Sequence, residues 1–408
     1  MNFVFISPNF PIRNYKWVES LSRRGVNVLG IGDAPFSSCH HRLQSSLKEY
    51  YFVKDLSNFD DMVQAISYFE NKYGKIDYIE SNNEWWLFLD SRLREYFNVS
   101  SGFYPKDMLK IKAKSEMKQC FKNGGAKVAR YVLVNGIKDL NKAIEFAKVV
   151  NYPLFVKPNI GVGATSSYKI NNETELKSFL QSELSETYIL EEFLNGFIVS
   201  FDGVCDSSSN VVFATSDHFL TPIDEIVNND EDYYYFNNPF SLPFFDLDKD
   251  KFLEVGKNVV KCFGIKKRVF HIEFFVLLED KPGLAKKGEF VALECNMRPA
   301  GGCTPDLIDF ANSLSIYDIY ADIICFDENK EYLNKEKYYA FASSRRKELD
   351  YLHKEEEILN RFKNELCMHG TYPKEIARAM GDYYYYAKFK DYSKGLEFDK
   401  FVREKINK

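Results

Sequence analysis

Three stretches of this chain carry side chains able to act together on one ligand. The first is ALECNMR, in which Glu294, Asn296 and Arg298 occupy every second position before Pro299, Ala300, Gly301 and Gly302. Period-two spacing on a strand puts all three on one face. The second is the apolar run VFHIEFFVLL, where His271, Glu273 and Phe275 share a face in the same way. Set side by side, the two strands bring together two carboxylates and an amide oxygen. Such an array is costly in a core unless a cation sits among the oxygens, and hard oxygen ligands suit Mg2+. Arg298 adds a fork for an anionic oxygen. A buried ion pair between Arg298 and Glu294 is the structural alternative, and it leaves Glu273 unexplained. The third stretch is YPLFVKPNIGVGATSSYKI, where Lys157 interrupts an apolar strand and small residues follow, among them Gly161, Gly163, Ala164, Thr165 and Ser166. Small residues let backbone N–H groups approach a phosphate. A tight hairpin with a snorkelling lysine is the alternative there. A fourth segment, YILEEFLNG, ends a strand in Glu191 and Glu192, then continues through Phe193 and Leu194. Read alone, it is a pair of exposed acids at a strand end.

These side chains need elements to hold them. NFVFISP and VNVLGIG read as short buried strands, separated by the helical YKWVESLSRRG, which stops on Gly25. FDDMVQAISYFENKYG (helix) and IDYIES (strand) continue the alternation, so a parallel sheet is expected over residues 1 to about 104. Trp85, Leu89, Leu93 and Phe97 recur every fourth residue and predict an amphipathic helix. The loop SPNFPIRN lacks GxGxxG and is not read as a dinucleotide site. From about 105 come a lysine-rich helix ending at Gly124 and Gly125, VARYVLV (strand), DLNKAIEFAKVV (helix), YPLFVKP and SSYKI (strands), TELKSFLQSEL (helix) and YILEEF (strand). A β-rich stretch runs from 197 to about 300, and DLIDFANSLSIYDIYADIICF reads as one apolar helix. After about 330 the charged helix KEEEILNRFKNEL precedes a strand, Tyr383 to Phe389, expected at a sheet edge.

The bulk composition narrows the function. The chain has 408 residues, 45% of them hydrophobic and 28% charged, with a formal net charge of −5. That length supports two or three cored domains, and the balance gives no basic surplus for nucleic acid. No apolar run reaches the roughly 20 residues of a membrane span. Eight cysteines without a CxxC pair, among them Cys262 and Cys325, read as reduced core thiols of a cytoplasmic protein. Cys39-His40-His41 is read as a surface loop rather than a metal site.

In combined order, these pieces resemble the ATP-grasp superfamily: a lysine helix, a strand-borne lysine with a Gly loop, the EE-F-L hinge, an acid strand, then E-x-N-x-R before Gly-Gly. The match covers roughly residues 105–325. The resemblance implies an α/β (α+β) ATP-grasp fold with three parts. They are an N-terminal Rossmann-like domain over 1–104, the ATP-grasp domain over 105–328 with a lid lobe at about 127–190, and a C-terminal extension over 329–408 that completes the lobe. It also implies roles. Lys114 and Lys157 would hold ATP phosphates, with Lys112 competing for the first role. The loop from Gly161 to Ser166, including Gly163, Ala164 and Thr165, would close over them. Glu191 and Leu194 would offer backbone contacts to adenine, with Glu192 and Phe193 between. Glu273, Glu294 and Asn296 would bind Mg2+. Arg298 would steady the transferred group beside Gly301 and Gly302, next to the acceptor substrate. Where relatives carry a ribose-binding glutamate this chain has Ile198, which leaves Asp202 as a candidate for the ribose.

The implied activity is ADP-forming ligation of a carboxylate to an amine, amino-acid-like or otherwise small, through an acyl phosphate. A biotin-carboxylase-like enzyme and a non-catalytic ATP-binding module are the alternatives. The expected partners are ATP and the two small substrates, with no nucleic acid and no membrane. A homodimer is among the assemblies allowed. The segment DHFLTPIDEIVNNDEDYYYF at 217–236 is read either as pocket lining or as a surface loop.

Overall fold

Strand, helix and strand alternate through the first eighty residues and form a parallel sheet. The structure, a computed structural model, describes residues 1–11, 13–161, 167–221, 231–244 and 247–406. Strands β1 (Asn2–Ile6), β2 (Asn27–Gly32), β3 (Glu49–Phe52) and β4 (Tyr78–Glu80) lie in the order β3-β2-β1-β4, with all neighbours parallel. All five residues of β1 are buried, as a strand covered on both faces requires. β3, a short half-exposed EYYF, carries no periodic signal and was not expected. The helix Phe59–Tyr73 starts at Asn58, whose side chain accepts from the Asp60 and Asp61 N–H groups. The expected four-residue stripe is only partly a helix face. The helix runs over Leu87–Tyr96 with Leu89 and Leu93 buried, whereas Trp85 precedes it and is 67% exposed.

Past this sheet the lysine-rich segment divides into the helices Met108–Lys112 and Lys114–Asn123. Asn159 causes the break: its carbonyl accepts from Lys114 N–H at 2.8 Å, and its Oδ1 accepts from Ser115 N–H at 3.0 Å. VARYVLV divides as well. β5 (Lys127–Val128) joins the largest sheet, and β6 (Tyr131–Val134) begins another. Arg130 marks the corner, with its N–H and guanidinium both donating to Glu192. β6, β7 (Leu154–Pro158), β8 (Tyr168–Ile170) and β9 (Tyr188–Glu192) form an antiparallel sheet ordered β6-β9-β7-β8. Helices Leu140–Val150 and Glu173–Gln181 cover it around Leu154, Val156, Leu176 and Leu190.

The largest sheet adds β10 (Gly196–Cys205), β11 (Val211–Phe219), β12 (Tyr234–Asn238), β13 (Arg268–Leu277), β14 (Phe290–Asn296), β15 (Tyr339–Arg345), β16 (Leu366–Thr371) and β17 (Tyr383–Phe389). Its order is β16-β17-β15-β12-β11-β10-β13-β14-β5, antiparallel except at β14–β5. β17 is therefore not an edge strand: β15 flanks it on one side and β16 on the other. β16, LCMHGT, lacks alternation and was missed. The apolar segment near 306–326 is two helices, Thr304–Asn312 and Ile316–Phe326. Ser313 at φ +54° ends the first, and Ser315 caps the second by accepting from Asp318 N–H. Trp17 stacks against Tyr317 and Tyr320, so the N-terminal sheet and the largest sheet share one buried apolar cluster. A charged clamp adds to it, since Glu80 at the end of β4 takes Arg94 at 2.9 Å and also pairs with Arg268 at the start of β13. All eight cysteines are free, but Cys262 is exposed and so is not a core thiol.

Candidate functional site

Where the three sheets meet they enclose a cavity of about 520 Å³. Its floor is β10, β13 and β14, its roof is β7 and β9, and the loops after β1 and β4 close one end. Glu273 stands directly opposite Glu294 across the β13–β14 pair, and His271 stands opposite Asn296. All four line the cavity. Pleating explains the convergence: residues two apart on each strand face the same side, and antiparallel pairing sets them against one another. Burial pushes the Glu294 carboxyl up, and Glu273 adds to this, while Lys114 and Lys157 oppose it. The donor set of two carboxylates and an amide oxygen suits a hard divalent cation. Among the described residues no group of three His, Cys, Asp or Glu side chains is placed to hold a metal ion.

Glu273 is held from behind. His271 Nε2 lies 3.2 Å from Glu273 Oε1, and its Nδ1 lies 2.6 Å from Asp202 Oδ1. Burial, the largest single cause, disfavours the imidazolium, but Asp202 and Glu273 together outweigh it, so the ring is raised to about 10. Asp202 is thus committed. It is 1% exposed, shares its other oxygen with the Ser200 hydroxyl and does not line the cavity. The expectation that it meets a ribose fails: Asp202 shares a face of β10 with Ile198, but His271, opposite it on β13, and Ser200 take both of its oxygens.

The roof and its adjoining helix supply cations. Lys157 Nζ sits 2.9 Å from Glu191 Oε2, and Lys118 Nζ sits 2.5 Å from Glu191 Oε1. Burial alone would raise the Glu191 carboxyl, but Lys118 and Lys157 hold it down at about 2. Lys114 also lines the cavity and makes no ion pair among the described residues; burial lowers its pKa, with Glu294 opposing. Lys112, the competing candidate, is turned away and pairs with Glu84. Lys118 escaped the sequence reading. Its signal was the i,i+4 spacing from Lys114, which puts both on one helix face.

The remaining candidates fall as follows. Glu191 has its backbone in the ladder between β6 and β7 and turns its carboxylate to the two lysines, so it meets the cavity by its side chain. The Glu192 carboxylate is taken by Arg130 at 2.5 Å, and the Glu192 N–H donates to Arg130 O. Neither acid is the exposed strand-end group of the plain reading, since both are buried. Phe193 and Leu194 line the cavity with Phe155, Ile198, Phe275 and Leu293, an apolar slot suited to a flat ring. Gly161 lines the wall, whereas Gly163, Ala164, Thr165 and Ser166 lie outside the described residues. Arg298 donates to Pro299 O at 2.8 Å and stands 3.5 Å from Glu84, not paired with Glu294. Gly301 and Gly302 line the same end, where Gly302 adopts φ +63° and the Gly301 carbonyl accepts from Thr304. Of the 217–236 segment, Phe219, Tyr233 and Tyr235 reach the cavity, and 222–230 lies outside the described residues. Arg13, Asn82 and Glu84 also line it, from loops at the C-terminal ends of β1 and β4, where parallel sheets present ligands. His40 caps a short helix and stacks on Tyr15.

Residues 113–223 match the family described as the carbamoyl-phosphate synthase L chain, ATP binding domain. Over 299 residues, 69% of this chain, the sequence is 23% identical to the L-arginine-specific L-amino acid ligase of Bacillus subtilis, and the match spans 65% of that enzyme's length. The crystal structure of an L-amino acid ligase from Bacillus licheniformis superposes with a TM-score of 0.72 at 13% identity, covering 100% of this chain and 98% of the other. N5-carboxyaminoimidazole synthetase from Staphylococcus aureus, complexed with ADP, gives 0.70 at 17%, covering 98% and 96%. This chain has the fold that these structures share.

Proposed function

We propose that this chain, an ATP-grasp fold, is an ADP-forming ligase that joins a small carboxylate to an amine. One observation carries the reading. Glu273, Glu294 and Asn296 face, across a single cavity, the lysines of the opposite sheet and its helix. That is the arrangement a metal-bound triphosphate needs. The apolar slot by Leu194 takes the base. Lys114, Lys157 and Lys118 take the phosphates, with Glu191 steering the last two. Glu273, Glu294 and Asn296 would hold Mg2+, which would neutralise charge on the phosphates.

The chemistry follows from a carboxylate's poor leaving groups. A carboxylate oxygen attacks the γ-phosphorus of ATP, the bond to the β-phosphate oxygen breaks, and ADP leaves. The amine then attacks the acyl phosphate carbon, the C–O bond to phosphate breaks, and the nitrogen gives up its proton. Arg298, between Pro299 and Glu84, is placed to steady the anionic oxygens of both steps, and contacts of that kind are worth about 2–4 kcal/mol each. No protein nucleophile is required. The similarity to amino-acid ligases supports amino-acid-like substrates. The partition into an N-terminal unit over 1–104, a nucleotide-binding unit over 105–328 and an extension over 329–408 belongs to the same reading. So does a cytoplasmic location, with which the free thiols agree; no helix of the described residues is long and apolar enough to cross a membrane. The test is product analysis with Mg-ATP and amino-acid pairs. ADP, phosphate and an amide product are expected. AMP and pyrophosphate would overturn the reading, as would tight ATP binding without turnover on any amine.

A further inference from the structure

We infer that Arg13 is an anion subsite at the acceptor end of the cavity, so that one of the two substrates carries a second carboxylate remote from the reacting atoms. The inference rests on the ligase reading above. Arg13 follows β1 and lines the cavity. Among the described residues its one anionic partner is Asp306, at 3.5 Å from Nε. That carboxylate is already bonded by Lys16 and accepts from the Tyr317 hydroxyl at 3.3 Å. The other neighbours of the guanidinium are neutral: the Tyr15 hydroxyl at 3.4 Å, the Met368 sulfur, the Cys303 thiol and the Tyr384 hydroxyl.

Charge counting then isolates Arg13. Two cations, Arg13 and Lys16, share the carboxylate of Asp306, while burial raises the neighbouring Asp309 carboxyl, which favours its neutral form. Nearby, Lys112 and Arg298 share Glu84. The surplus at Glu84 has a use, because Arg298 faces the transferred group. The imidazolium of His271 is balanced by Asp202 and Glu273. The surplus at Asp306 has none. The Arg13 side chain is only 21% exposed, and an unmatched charge so placed is costly unless a ligand supplies the counter-ion. The remaining donors of the guanidinium meet only neutral hydroxyl and sulfur atoms, weak partners that an incoming carboxylate would displace in bidentate geometry.

A second observation points to the same place. Asn82 is 5% exposed and lines the cavity, yet neither its amide nitrogen nor its amide oxygen has a hydrogen-bond partner among the described residues. β1 and β4 are parallel neighbours, so the loops that carry Arg13 and Asn82 open at one sheet edge. A fork and an amide N–H there form a pair of donors for one carboxylate. That group is either the free carboxylate of an amino-acid acceptor or the distal carboxylate of a dicarboxylic donor.

Calorimetry on the full chain with Mg-ADP separates the two sources, using L-alanine against L-alaninamide and L-glutamate against L-glutamine. Wild type is expected to prefer the charged member of one pair by at least tenfold. Arg13→Gln removes that preference without changing affinity for the amide or for ADP, and Arg13→Lys, with charge but no fork, falls between. The pair that responds names the source. No preference in wild type overturns the subsite, as does an equal loss for charged and amide ligands in Arg13→Gln at unchanged Tm. If the charge preference persists but no acid–amine pair ever releases ADP, the ligase reading falls and the anion site stands.

Discussion

At the residue scale, the oxygen donors and the lysines make separable contributions. Glu294→Gln keeps the shape of the site and removes one charge from the donor set. It is expected to lower kcat by about 10²–10³, the usual loss for one electrostatic contact in a site of this kind, while ADP binding without metal stays within twofold. Retained Mg2+-dependent turnover would contradict the assignment. Lys157→Ala is expected to raise KM for ATP about tenfold or more, and the rise should be incomplete because Lys118 still reaches the Glu191 carboxylate from the other side; unchanged nucleotide affinity would remove Lys157 from the phosphate site. Glu273, Glu294, Asn296 and Arg298 were legible because strand periodicity alone fixes which residues share a face. Lys118, Glu84 and Arg13 were not. They arrive from a helix and two loops, and only the tertiary fold decides where such side chains point. Asp202 misled for a related reason: its alternation was readable, but the claim of His271 upon it was not.

At the element scale, the C-terminal strands reach the site through hydroxyl groups. Tyr372 and Tyr386 hydroxyls lie 2.6 Å apart, Tyr386 and Tyr235 3.1 Å, and Tyr235 and Thr304 Oγ1 3.0 Å. Thr304 donates in turn to the Gly301 carbonyl at 2.7 Å. β17 and β12 thereby brace the turn that carries Gly301 and Gly302. Tyr386→Phe strands the buried Tyr372 hydroxyl and leaves Tyr235 bonded to Thr304 alone, and is expected to cost about 1–3 kcal/mol in urea unfolding. A change below a few tenths of a kcal/mol would show the chain to be dispensable. The stretch Tyr383 to Phe389 was legible as a strand, since a run of aromatic residues fits a pleated surface. Its interior position was not, because β16 is short, half-exposed and without alternation. The broken helices were illegible for another reason: at Ala113 the break is imposed by Asn159, 46 residues away in the chain, rather than by a local Gly or Pro.

At the scale of the whole molecule, a buried charged clamp ties the N-terminal sheet to the largest one. Glu80 takes Arg94 and Arg268, and Arg268 also donates to Met297 O at 3.0 Å, one residue before Arg298. Asp90 is packed against this clamp. Burial first, then the neighbouring Glu80, raises its carboxyl to about 7. Its Oδ2 accepts from Ser81, while its buried Oδ1 has no partner, as suits a protonated group. A carboxyl raised in the fold above its unfolded value stabilises the fold fully at pH below that unfolded value, and loses the contribution as pH rises through about 7. Asp90→Asn keeps the acceptor and cannot ionise. Thermal denaturation should therefore show wild type losing Tm relative to Asp90→Asn between about pH 4 and 7 and no further above that, whereas a pH-independent difference would contradict the assignment.

The parallel N-terminal sheet and the order of functional strands were legible across the whole chain, because β1, β2, β7, β9, β13 and β14 announce themselves as apolar runs. How the sheets meet was not, and the cavity exists only where they do. The central claim is that this cavity activates a carboxylate with the γ-phosphate of ATP. It is tested most directly with a carboxylate substrate labelled with oxygen-18, Mg-ATP and an amine. The phosphate released alongside ADP should carry one labelled oxygen from the substrate. Unlabelled phosphate, or label found in AMP, would contradict it.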